Sequence, residues 1–314
     1  MYKGQRLDKA ATEIEAAMQM DTQRGYQLLG RWYKRREGQG LALSTQAMGV
    51  VEDEYRTLYA RPAQPTGEMI PLDRVRGRYQ VPDHIPHDDE IREACRKLRR
   101  GKAPGPSGMS GDDLREWEED EDTTKWDKVV ALVQHAFAAG EAPAAFQAGV
   151  LVLVPKSDVG KYRGIALLEA LYKLLSALIN RRVCKAVKWH DAVHGFITDR
   201  SCATAILEVK LAMQMAKRKG QVYHQIFLDL SKAYDNLDRE RLYEIMEAYG
   251  MGPLTMRLLR NAWEGSGVVP KKAGRFGKFI ATDRGVKQGD IASPTFFNMA
   301  VDAIIRAEED VRRR

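Results

Sequence analysis

Cysteine is scarce in these 314 residues: Cys95, Cys184 and Cys202 are the whole complement, too few and too scattered for a disulfide framework. Long hydrophobic runs are missing too. The most apolar stretch, Ile165 to Ile179, is broken by Glu169 and Lys173 and falls short of the ~20 residues a membrane helix needs. The first residues lack the apolar core of a signal peptide. These absences exclude a stapled secreted scaffold and a membrane span, and predict an intracellular protein, nuclear or cytoplasmic, with no membrane partner. A phosphate-cradling P-loop is also absent, because in Gly101-Lys102-Ala103-Pro104-Gly105-Pro106-Ser107-Gly108 the lysine precedes most of the glycines. Internal repeats are not evident.

What is present is a foldable chain. Its 44% apolar content excludes wholesale disorder. The 50 basic and 43 acidic residues leave a net charge of +7, which suits a polyanionic partner without requiring one. Residues 1–60 read as helices with charged faces. The run Arg31-Trp32-Tyr33-Lys34-Arg35-Arg36 is either a base-stacking element or the solvated face of an amphipathic helix. Residues 61–87, with five prolines, read as a linker.

Asp88–Arg100 then reads as a helix running into the Gly/Pro loop. Val150–Val154 and Tyr162–Ile165 flank the polar turn Lys156–Gly160, a hairpin signature. Leu168, Leu171, Leu175, Leu178 and Val183 recur at helical spacing. In Tyr223–Asp235, the apolar run Ile226-Phe227-Leu228 ends at Asp229, which predicts a buried central strand delivering a carboxylate to its end. A lone aspartate there could equally be a turn or cap residue. The next helix has Asp238 as N-cap and Gly250 as stop. A strand at Phe279–Thr282, a loop at Gly285–Ile291 and a helix opened by Ser293-Pro294 follow, with Phe297, Val301 and Ile304 expected on its apolar face.

In this order, the segments resemble a reverse transcriptase of the non-LTR retrotransposon (LINE-like) kind. The first palm motif, F-x-D-x-x-x-A-[FY]-D, stands as Phe227, Asp229, Ala233, Tyr234 and Asp235. G-V-x-Q-G-x-x-x-S-P runs whole from Gly285 to Pro294, and Phe297-Asn298 continue it. Lys102–Gly108 is similar to K-x-P-G-P-D-G, with Ser107 in place of the aspartate. Tyr162–Leu168 is similar to Y-R-P-I-S-L-L, departing at Gly164 and Ala166. Gly195-Phe196, Arg200-Ser201 and Thr204-Ala205-Ile206 match a further element in which Ile197 replaces an arginine.

The resemblance implies an α/β (α+β) partial right-hand polymerase fold. Residues 88–314 would form fingers and an incomplete palm, after an N-terminal helical extension. It implies RNA-directed DNA polymerase chemistry, a two-metal nucleotidyl transfer with magnesium, manganese being the alternative. Asp229 would be the catalytic metal ligand, with the Leu230 carbonyl beside it. Lys156 and Arg163 would grip the triphosphate, Tyr234 would exclude a 2′-hydroxyl, and Gln288 would touch sugar and base. Lys232 and Lys287 would contact template or primer phosphate. Lys156, Arg163, Lys232 and Lys287 could each instead be solvated charges. The implied partners are RNA template, DNA primer, deoxynucleoside triphosphates and the remainder of a retroelement polyprotein.

No [YF]-x-D-D follows Asn298, so the resemblance also implies a chain inactive by itself. The alternative is a non-catalytic RNA- or DNA-binding remnant. Asp88-Asp89 and Asp112-Asp113 are read as helix-start acids rather than a displaced catalytic pair. Cys184, His190, His194 and Cys202 fit no familiar zinc spacing. An uncovered apolar strand predicts poor solubility.

Overall fold

The computed structural model describes residues 45–60, 70–155, 162–272 and 275–313. Two compact units divide the chain: residues 1–51 with 273–275, and residues 52–272 with 276–314. Of the first unit, residues 45–51 and Arg275 are described. They include the first turns of helix α1 (Thr45–Tyr59). Trp32, Tyr33 and Lys156 lie outside the described residues.

The second unit mixes helices and one sheet, as a partial polymerase fold requires. Its helices are α2 (Asp88–Arg96), α3 (Gly111–Glu119), α4 (Thr124–Ala139), α5 (Ala170–Ala186), α6 (Cys202–Arg218), α7 (Ala233–Asn236), α8 (Arg239–Ala248), α9 (Pro253–Trp263) and α10 (Ser293–Arg313). The described strands of the chain are β1 (Ala148–Pro155), β2 (Tyr162–Leu167), β3 (Gly267–Lys272), β4 (Arg275–Phe276) and β5 (Ile280–Ala281). β1 and β2 form the antiparallel hairpin, with Val150 opposite Leu167 and Val154 opposite Arg163. β3 lies parallel to β1, and β5 returns antiparallel along β3.

Local chemistry accounts for the element ends. α2 opens on Asp88, Asp89 and Glu90, acids at the favourable end of the dipole. α3 opens on a capping box between Ser110 and Asp113. Asp238 caps α8 by accepting from the Arg241 amide at 2.9 Å, and Gly250 follows it at φ +80°. α5 carries the core: Leu174, Leu175, Leu178, Ile179 and Val183 are buried, and the helix meets α2, α3 and α10. Arg182, 2% exposed, forms a two-pronged pair with Glu90 at 2.7 Å on each prong.

Three expectations are corrected. First, residues 221–230 form no strand, and Ile226, Phe227 and Leu228 are 83%, 85% and 88% exposed. A strand exists through its partners, and none of the described strands pairs with this segment. Second, residues 70–87 are not a free tether. From Ile70 onward the chain is seated on the body: Val75 and Val81 are buried, and Asp83 accepts from the amides of Leu254 and Thr255 at 2.9 and 2.8 Å. Third, α10 buries Phe296, Met299, Ala300 and Ala303, whereas Ile304 is 45% exposed. The buried stripe is thus rotated by one residue from the one expected.

Candidate functional site

The bend at residues 284–290 is where three motifs meet. Gly285 has φ +76°, and a Cβ there would lie 2.7 Å from the carbonyl oxygens of Tyr234 and Asp235. Gly289 has φ +124°, and a Cβ would lie 2.3 Å from the Ala166 carbonyl oxygen. Glycine is therefore required at both positions, for conformation and for closeness. Main-chain bonds complete the junction: Ala166 N–H to the Gln288 carbonyl at 2.8 Å, Val286 N–H to Tyr234 at 2.9 Å, and Gly285 N–H to Leu237 at 2.7 Å. Strand β2, the bend and the Tyr234–Leu237 segment thus form one hydrogen-bonded assembly.

Buried polar groups fix the bend from behind. Arg239 donates to the carbonyls of Gly285 and Trp263 at 2.9 and 3.1 Å, and to Thr282 Oγ1 at 3.3 Å. Asp290 is buried, which pushes its carboxyl up. Ser176 Oγ at 2.5 Å and the Ile291 amide at 2.7 Å partly offset that cost. Ser176 in turn accepts from the Ala292 amide at 3.0 Å, tying the start of α10 to α5.

Arg163 and Gln288 are exposed on adjoining elements. Tyr234 is half-buried and stacks on Phe297, with ring centroids 5.2 Å apart. Tyr59 hydrogen-bonds Asp235, and burial together with that carboxylate raises the Tyr59 pKa. A shallow cleft beside the bend is lined by Tyr59, Leu151, Gly164, Lys287 and Gln288, among others.

Lys287, read from the sequence as a template or primer phosphate contact or a solvated charge, is buried. It is 8% exposed, with Nζ donating to the Gln147 carbonyl at 3.3 Å, so its charge does not face solvent. Burial, with Arg239 nearby, brings its pKa down to about 8. Lys232 stands in the left-handed region at φ +47° and its ammonium pairs with Glu54 at 3.3 Å. Asp229 and Leu230 lie on the exposed 221–230 segment. Among the described residues no group of three carboxylate, histidine or cysteine side chains converges on a metal-sized site. Asp229 therefore belongs to no such group among the described residues.

The other candidates have structural partners. Asp88 accepts from Trp126 Nε1 at 2.8 Å, Asp112 from the Gly101 amide at 2.8 Å, and Asp113 from Ser110. His190 faces Glu309 at 2.9 Å, while His194 faces Thr204 at 3.0 Å and Glu208 at 3.2 Å.

With this geometry in view, the comparisons decide the family. Residues 154–310 match the family described as reverse transcriptase (RNA-dependent DNA polymerase). The chain belongs to the reverse transcriptase family. Its relatives are of the non-LTR retrotransposon type. It is 26% identical over 249 residues to a retrovirus-related Pol polyprotein from the type-2 retrotransposable element R2DM of Drosophila melanogaster, covering 78% of this chain and 22% of that protein. It is 27% identical over 236 residues to the Pol polyprotein of an R2 element of Nasonia vitripennis, covering 70% and 21%. A 149 kDa protein of transposon TX1 from Xenopus laevis is 24% identical over 251 residues, covering 76% and 18%. The reverse transcriptase chain thus spans about a fifth of the length of these relatives. A Cas6-RT-Cas1–Cas2 complex superposes on 80% of this chain and 24% of that chain at 14% identity and a TM-score of 0.37, too loose to inform the fold.

Sequence reading missed Arg239 and Tyr59, for which no local pattern exists. Asp290 and Glu169 left a trace: a carboxylate inside an otherwise apolar or glycine-rich run needs a partner when buried.

Proposed function

We propose that the chain is the fingers and first palm segment of an RNA-directed DNA polymerase of a retroelement, holding deoxynucleotide and nucleic acid for a two-metal nucleotidyl transfer. The supporting observation is the junction itself. Main-chain hydrogen bonds and two obligatory glycines join the elements that carry Arg163, Gln288 and Tyr234. Arg163 supplies a guanidinium for phosphate oxygens, with the bidentate geometry lysine lacks. The Tyr234 ring, kept in place by Phe297, is the steric element against a 2′-hydroxyl. Lys156 would add a second cation from the hairpin turn.

Divalent ions, when bound, supply charge neutralisation at the triphosphate. Asp229 and the Leu230 carbonyl are oxygen donors suited to magnesium or manganese, but they are half of a donor set. The exposed 221–230 segment also supports a second reading, a remnant that binds RNA or DNA without synthesis.

The test is deoxynucleotide binding by the purified chain. The polymerase reading expects a deoxynucleoside triphosphate to bind more tightly than its ribonucleotide, with Tyr234→Ala narrowing the difference. It also expects Arg163→Ala and Gln288→Ala to weaken both. Equal binding of both sugars by the unmodified chain overturns this reading, as does primer extension that survives Asp229→Asn.

A further inference from the structure

The turn between α2 and α3 concentrates positive charge on a braced backbone. Lys97, Arg99, Arg100 and Lys102 are all exposed. Arg100 pairs with Glu119 at 3.6 Å. Lys97, Arg99 and Lys102 have no carboxylate within ion-pair distance among the described residues.

A run of solvated charge ordinarily lies on a helix, whose backbone is already satisfied. Here the backbone is irregular, and five separate contacts fix it. Arg115 donates to the carbonyl oxygens of Leu98, at 3.1 Å, and Arg96. The Gly101 amide reaches Asp112 Oδ2 at 2.8 Å. Lys173 Nζ reaches the Ala103 carbonyl at 3.3 Å. Gly105 lies so close to the Leu168 main chain that a Cβ would come within 2.6 Å. Ser107 donates to both Glu169 carboxylate oxygens, from its amide at 2.8 Å and its hydroxyl at 2.5 Å. Four of these contacts join the loop to α3 or to the β2–α5 corner.

Ser107 stands where the resembling element has an aspartate, so the carboxylate that anchors this loop comes from Glu169 on the opposite side. The loop is braced onto the corner that follows β2, the strand bearing Arg163.

We propose that the Lys97–Lys102 turn is a preorganised docking site for the sugar-phosphate backbone of nucleic acid, and that Glu169 and Ser107 position it. The proposal rests on the polymerase reading for the presence of a nucleic-acid partner, and adds a phosphate-binding surface outside the nucleotide site. Bracing matters because a cation on a fixed backbone loses less freedom when it meets phosphate. Each phosphate neutralised adds about 0.7 to 0.9 to the slope of log affinity against log salt.

The experiment is fluorescence anisotropy of a labelled RNA and of an RNA–DNA duplex with the full chain across a salt series. The combined variant Lys97→Ala, Arg99→Ala, Lys102→Ala is expected to bind at least ~10-fold more weakly at low salt, with a slope shallower by about two. A charge-matched control, Lys125→Ala, Lys128→Ala, Lys185→Ala, is expected to change affinity less than ~3-fold, because those exposed residues lie elsewhere. Glu169→Gln is expected to weaken binding at unchanged salt slope, since it loosens the loop and removes no cation.

Wild-type affinity in the loop variant, or equal losses in loop and control variants, overturns the docking site while leaving the polymerase reading intact. If the unmodified chain binds no nucleic acid, both fall.

Discussion

The carbonyl of Gln288 accepts the amide of Ala166 at 2.8 Å, so main chain alone joins the bend to the strand that carries Arg163. Side-chain substitutions at Arg163 or Gln288 leave that bond in place. Each is exposed, so Arg163→Ala and Gln288→Ala should unfold within about 0.5 kcal/mol of the unmodified chain. Urea melts check this, and they let any loss of nucleotide binding be assigned to chemistry.

Gly289→Ala should behave in the opposite way. The new Cβ would lie 2.3 Å from the Ala166 carbonyl oxygen at φ +124°, and the expected cost is about 2 kcal/mol or more. Hydrogen exchange reads it locally, because the Ala166 amide should lose its protection before the rest of β2 does.

The pH dependence of stability should rise and then fall. The pKa of Lys287 is lowered by burial to about 8, below its ordinary 10.5. Between those values the unfolded chain binds the extra proton, so Lys287 adds stability as pH rises across that window, by about 3 kcal/mol. Tyr55 and Tyr243 are raised by burial to about 12. Their effect has the other sign, and stability is lost above pH ~10 as the unfolded tyrosines ionise. Denaturant midpoints from pH 7 to 11 measure both limbs, and Lys287→Met should flatten the first alone.

Asp229→Asn should leave the melt unchanged, since the residue lies on an exposed segment. Phe227→Ser with Leu228→Ser should raise solubility and lower binding of a hydrophobic dye. Those side chains are 85% and 88% exposed, a surface that favours association between chains.

The hairpin β1–β2, helix α5 and the Gly285–Pro294 run were legible because each is specified locally. Alternation, a leucine stripe and glycines at fixed offsets leave marks within a short window. The reach of Tyr223–Asp229 was not legible in that way. Its residues favour a strand, but its exposure depends on what lies alongside, and no window of sequence carries that. Lys287 misled for a related reason. Lysine beside glycine reads as solvated, while its burial follows from Gln147 and Tyr172, more than a hundred residues earlier. Asp88 and Asp112 could be read as helix-start acids because the dipole effect is local. The anchoring of Arg239 could not, since its acceptors come from Trp263, Thr282 and Gly285.

That anchor has a property of its own. All three acceptors around Arg239 are uncharged, two carbonyls and a hydroxyl, in a setting shielded from solvent. Acid that protonates surface carboxylates, or electrolyte that dissolves ion pairs such as Arg260 with Glu247, has little purchase on it. The curvature that presents Gln288 should therefore outlast the peripheral charge network as ionic conditions become harsher.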